Sequence, residues 1–113
     1  MGRFAKNGKV IISTEVSTQF GNVTTTIDSF SSTHYRTAKY IVSITNGFTY
    51  QTAEVSVIHD GSATYSTVYG IVSSTGTPFV TFSTSISSNI VLLSATGVGA
   101  GTNVARLQRT YVV

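Results

Sequence analysis

The sequence predicts an all-β fold, an antiparallel β-sandwich or flattened barrel of about seven or eight strands. Three observations carry that prediction. Valine and isoleucine outnumber leucine, and Ser, Thr, Tyr and Phe are abundant while the usual helix formers are scarce; branched and aromatic side chains suit a pleated, half-buried surface. No stretch sustains a helical hydrophobic period. Turn chemistry recurs at short intervals, at Gly21-Asn22, Asn46-Gly47, Asp60-Gly61, Gly76 to Pro78, Ser88-Asn89 and Gly97 to Gly101, as in sandwiches and barrels.

Each element follows from local alternation. Val10 to Thr14 reads as a short strand, and Val23, Thr25 and Ile27 mark a second. Ser29 to His34, "SFSSTH", reads as a polar connection. Ala38 to Thr45 then places Tyr40, Val42 and Ile44 on one face and Lys39, Ile41 and Ser43 on the other. Asn46-Gly47 between two alternating runs predicts a hairpin through a type I′ turn, which needs positive φ at both central residues. The returning strand, Phe48 to His59, carries Ala53, Val55 and Val57 on one face and Tyr50, Thr52, Glu54, Ser56 and Ile58 on the other. Asp60-Gly61 turns the chain into Ala63 to Val72, where Tyr65, Thr67, Tyr69 and Ile71 share a face. Phe79 to Ile86, Ile90 to Ser94 and Asn103 to Val113 complete the strands. Phe48, Val55, Val57, Val80, Phe82 and Leu92 are expected in or near the core.

The 113 residues make one domain by length. The formal net charge is +3, and Arg3, Lys6 and Lys9 fall within the first nine residues. Residues 1–9 therefore read as a basic N-terminal arm and 10–113 as a single sandwich domain. With Phe4 among its cations, the arm is a candidate partner-binding segment (Arg3, Phe4, Lys6, Lys9) for an acidic protein surface. The remaining cations and acids balance, so a nucleic-acid partner is not expected. Only 10% of residues are charged and cysteine is absent, which removes disulfides and thiolate metal sites. No run is long enough for a membrane span or a signal-peptide core, so neither membrane nor export is expected.

His59-Asp60 could belong to a Ser-His-Asp arrangement, but adjacent residues of a strand point to opposite faces. No nucleophile-elbow pattern surrounds a serine. Asp60 and Gly61, like Asn46 and Gly47, are better read as structural turn residues. His34 and His59 lack partners at metal-ligand spacing. "GVGAG", Gly97 to Gly101, lacks the Lys-Ser/Thr of a phosphate loop and opens no helix, so it reads as a hairpin tip open to another subunit's backbone. The expectation is a non-enzyme with no cofactor and no metal.

Four segments carry a resemblance: "YRTAKYIVSIT" from Tyr35, "YQTAEVSVIHDGSATYSTVYGIVSS" from Tyr50, the run ending in "NIVLLSATG", and "VARLQRTYVV". They resemble small β-rich virion proteins and domains of tailed bacteriophages, of the cyanophage and marine-phage type, over about the last two-thirds of the chain. That resemblance implies a structural protein located in the virion. Its first implied role is capsid decoration (a cement protein), held by the arm and the sandwich faces against the major capsid protein. The alternative is a tail, neck, baseplate or fibre component contacting other tail proteins, with a possible receptor- or glycan-binding role through Tyr50, Tyr65 and Tyr69. A homo-oligomer, a trimer first, is implied in either case.

Overall fold

The computed structural model describes residues 4–6 and 10–113, with side chains from Thr18 onward. Nine strands form among them: β1 (Phe4–Lys6), β2 (Val10–Phe20), β3 (Thr24–Ser31), β4 (Thr37–Asn46), β5 (Thr49–His59), β6 (Thr64–Ser73), β7 (Val80–Ser87), β8 (Ile90–Gly97) and β9 (Asn103–Val112). A six-stranded sheet has the order β1-β2-β9-β4-β5-β6, and a three-stranded sheet the order β3-β8-β7. Every pairing is antiparallel, and neither sheet closes on itself. The predicted sandwich is thus observed, with one strand more than expected. The extra strand is β1, inside the stretch read as an arm, and its backbone pairs along β2.

Alternation builds the core. Tyr40, Val42 and Ile44 of β4, Val55 and Val57 of β5, and Ala105 and Leu107 of β9 point inward from the larger sheet. Val91, Leu93 and Ala95 of β8, with Ile27 and Phe30 of β3 and Val80 of β7, meet them from the smaller one. Burying a side chain of Leu or Val size contributes roughly 1.5–3 kcal/mol, so this shared face is the main apolar stabilisation.

Five expectations are corrected. Phe48 is 94% exposed and not in the core. The reason is the turn: Asn46 pairs with Thr49, leaving Gly47-Phe48 as the central residues. Only Gly47 has positive φ (60°), which is the type II′ pattern with Gly first, so Phe48 projects from the tip. The positive-φ pair of a type I′ turn occurs instead at Ser88-Asn89, between β7 and β8. Leu92 is only partly buried because its neighbour Leu93 faces inward. Ser29 to Ser31 belong to β3 rather than to a connection, with Phe30 in the core. Ile71 leaves the face of Tyr69 because β6 bulges between the pairs Thr52–Val72 and Glu54–Tyr69, and each bulge shifts the inside-outside alternation by one.

Polar side chains also cross between the sheets. A second bulge, between Thr26 and Asp28 of β3, turns both Ile27 and Asp28 inward. The Asp28 carboxylate accepts hydrogen bonds from the Tyr40 hydroxyl at 2.9 Å, from the Tyr111 hydroxyl and from the Arg109 guanidinium. At the opposite end, buried Gln51 of β5 accepts from the backbone N–H of Phe79 (2.8 Å) and Val80 (3.1 Å) through Oε1. Its Nε2 donates to the Val80 carbonyl at 2.9 Å. Gln51 thereby pins the start of β7 to the larger sheet.

Burial, and then the Asp28 carboxylate, push the Tyr40 hydroxyl well above the ordinary tyrosine range. Burial and the hydrogen bond to Asp28 raise that of Tyr111. The folded state therefore holds both protons after an unfolded chain has released them. Stability from this pair is fully present below about pH 10, the unfolded tyrosine value, and is lost as pH rises above it. The expected slope above that point is about 1.4 kcal/mol per pH unit for each of the two tyrosines. Urea unfolding between pH 8 and 11 checks it, and Tyr40→Phe should remove about half of the slope.

Candidate interaction face

The outer face of β4, β5 and β6 gathers nearly half of the large apolar side chains exposed among the described residues. Strand register sets Ile41, Glu54 and Tyr69 in one row. Lys39, Ser56 and Thr67 form the next, followed by Thr37, Ile58 and Tyr65, while Ser43, Thr52 and Val72 lie on the other side. With Tyr50, this face holds six of the thirteen large hydrophobics exposed among the described residues, and Val112 of the neighbouring β9 adjoins it beside Thr37. These strands have Val, Tyr and Ile on both sides because one side feeds the core and the other lies open.

The face carries one close ion pair. Lys39 Nζ lies 3.5 Å from Glu54 Oε1 and 5.8 Å from the centroid of the Tyr69 ring. The Tyr69 phenol and then the Glu54 carboxylate hold the Lys39 ammonium above the ordinary lysine range. The pair is solvent-exposed, so its own contribution to stability is small. Two shallow grooves flank it. One, of about 300 Å³, is lined by Ser43, Tyr50, Thr52 and Val72. The other, of about 380 Å³, is lined by Thr37, Ile58, Tyr65 and Thr67. Both offer apolar surface edged with hydroxyl groups.

The sequence-predicted site residues fall elsewhere. Arg3 and Lys9 lie outside the described residues, and Phe4 and Lys6 are described only by their backbone, in β1. Asn46 lies at the end of β4, where its Nδ2 donates to the Ala100 carbonyl (3.1 Å) and to Asn103 Oδ1 (3.0 Å). It ties the hairpin to the Gly97–Gly101 loop. A Cβ on Gly97 would stand 2.4 Å from the Gly21 carbonyl oxygen. The close approach inferred for that loop thus occurs within the chain, against the turn between β2 and β3.

"IHDG" is occupied by turn chemistry. Asp60 Oδ1 accepts from the N–H of Ser62 (2.9 Å) and Ala63 (2.8 Å), and Oδ2 accepts from the Tyr65 hydroxyl at 3.0 Å. The first two of these bonds and then the Tyr65 hydroxyl hold the Asp60 carboxyl below the ordinary aspartate range. His59 is buried, with Nδ1 accepting from the Gly61 N–H at 3.0 Å and Nε2 at 2.7 Å from the Tyr35 carbonyl. That arrangement requires the Nε2–H tautomer. His59 and Asp60 contact different backbone groups, and each closes its own part of the turn.

No protein-family model matches the sequence, and no curated protein matches it. Solved structures do. The fold is similar to part of the Acinetobacter baumannii phage AM24 tailspike protein, with a TM-score of 0.64 and 11% identity over 93% of this chain and 26% of that one. It is also similar to part of the tailspike protein gp49 from Acinetobacter baumannii bacteriophage Fri1, a capsular polysaccharide depolymerase. There the TM-score is 0.53 and the identity 13%, over 99% of this chain and 20% of that one. The likeness is one of fold. The chain spans about a quarter and a fifth, respectively, of the length of these two tailspikes.

Removing the buried His59 ring leaves a void and takes away the hydrogen bonds to the Gly61 N–H and the Tyr35 carbonyl, both only partly shielded from water. His59→Ala is therefore expected to cost about 1–3 kcal/mol, measured by urea unfolding at neutral pH.

Proposed function

We propose that this chain is a structural module of a tailed-phage tail, in a spike or fibre, acting as a homo-oligomer through protein–protein contacts. The observation that carries this reading is the likeness of fold, over nearly the whole chain, to parts of two phage tailspikes. Of the two placements implied by the sequence resemblance, it favours the tail over capsid decoration. The exposed face supports the same reading, because apolar side chains gathered on one sheet mark a surface that meets another macromolecule.

A receptor or glycan role is a second reading, favoured by the tyrosines and hydroxyl groups that line the two grooves. One of the two similar tailspikes is a polysaccharide depolymerase. In this chain His59 and Asp60 are committed to turn contacts, so the proposed role is contact without turnover.

Quantitative mass spectrometry of purified virions tests the placement by counting this chain against the major shell protein. A tail module is expected at a few copies per particle. Hundreds of copies would move it to the capsid surface, and its absence from particles would overturn the virion reading.

A further inference from the structure

We infer that the outer face of β4, β5 and β6 is the surface through which one copy of this chain docks on another, with Lys39 of each copy reaching Glu54 of its partner. The inference gives a location to the homo-oligomer proposed above and rests on that part of the reading.

The occupant follows from charge and area. The three strands place one cation and one anion on this face, Lys39 and Glu54, side by side. Two copies turned face to face can exchange these partners and leave neither of these two charges unpaired. Around them lie Ile41, Ile58, Tyr65, Tyr69 and Val72 with Ser and Thr hydroxyls between. Such a surface offers nothing for a strongly acidic or basic partner and does not repel its own copy. Charge depletion with aromatic enrichment is what distinguishes the centre of a protein interface.

Counted with β9, whose margin adds the exposed cation Arg106 beside Ser43, the four strands are about 4.8 Å apart and their rows repeat every 6.7 Å or so, giving a face of about 650 Å² with Arg106 at the rim, the part of an interface that stays solvated. Two such faces in contact remove roughly 1,300 Å² from water, inside the range of about 1,200–2,000 Å² for specific interfaces. Twisted sheets stack in this way at about 30° to one another. The face is also continuous with the edge of β6, which pairs with no further strand among the described residues.

Light scattering coupled to size exclusion, with the 113-residue chain and its variants, tests the inference. The wild type is expected to elute as an oligomer. Lys39→Glu and Glu54→Lys should each weaken association at least about tenfold, roughly 1.4 kcal/mol. An equimolar mixture of these two variants should restore it, because each supplies the charge that the other lacks. Ile41→Lys should also dissociate the oligomer, whereas Ser83→Lys, on the outer side of β7, should not. Circular dichroism and urea midpoints confirm that each variant is folded.

An unchanged mass in the face variants would overturn the face while leaving the oligomer standing. Failure of the mixture to restore association would overturn the charge exchange. A wild type that stays monomeric would overturn both the face and the oligomer. If that monomer also bound immobilised neutral polysaccharide, with binding lost in Tyr65→Ala, the face would belong to a glycan instead.

Discussion

The buried carboxylate of Asp28 is the interaction on which the rest of the sandwich depends. A charge removed from water is tolerated only when paired and hydrogen-bonded. Asp28 meets that condition with three donors, all from the opposite sheet: Tyr40 on β4, and Arg109 and Tyr111 on β9. The three donors converge on one carboxylate from two neighbouring strands, so they fix where β3 lies over the larger sheet and by how much it is offset. An apolar contact could slide by one residue at small cost. This one cannot, because a shift leaves a charge and two hydroxyls unpartnered.

Gln51 does the same at the other end with neutral groups, holding Phe79 and Val80 through three hydrogen bonds. Between these two fixed points the core is almost wholly apolar. Apart from Arg109 Nε, its inward-facing polar groups have partners supplied by the same fold. The outer side of β4, β5 and β6 carries no such obligation, and its apolar residues are not covered by any of the described residues. The same alternation that fills the core therefore produces the open face, which connects the packing of the sandwich to its proposed assembly.

What could be read from the sequence, and what could not, divides along physical lines. The faces of β4 and β5 were legible because a strand buried on one side alternates with a strict period of two, and both strands run without interruption. Alternation failed at bulges. Ile27 and Asp28 both point inward, and Ile71 is displaced from Tyr69, because one extra residue inverts the pattern and no local signal announced it. Phe48 was misplaced by its hydrophobicity; the residue pairing around Gly47 puts it on the turn instead. The Asp28 cluster joins residues 28, 40, 109 and 111, which no spacing rule connects. A lone Asp in a strand of threonines was the one clue, since a carboxylate there has either to face water or to find partners. Of the open face, the outward sets of β4 and β5 and the tyrosines of β6 were each legible strand by strand. Their assembly into one patch required the register.

The most direct test of this account is the urea unfolding free energy of Asp28→Ala at neutral pH. Removing the carboxylate leaves the Arg109 guanidinium and two buried hydroxyls without their shared acceptor, and breaking a buried pair from one side costs about 3–5 kcal/mol. A loss of that size is the expected result. A loss below about 1 kcal/mol, the range of ordinary surface changes and mild truncations, would contradict the central place given to Asp28 and would leave apolar packing alone to align the two sheets.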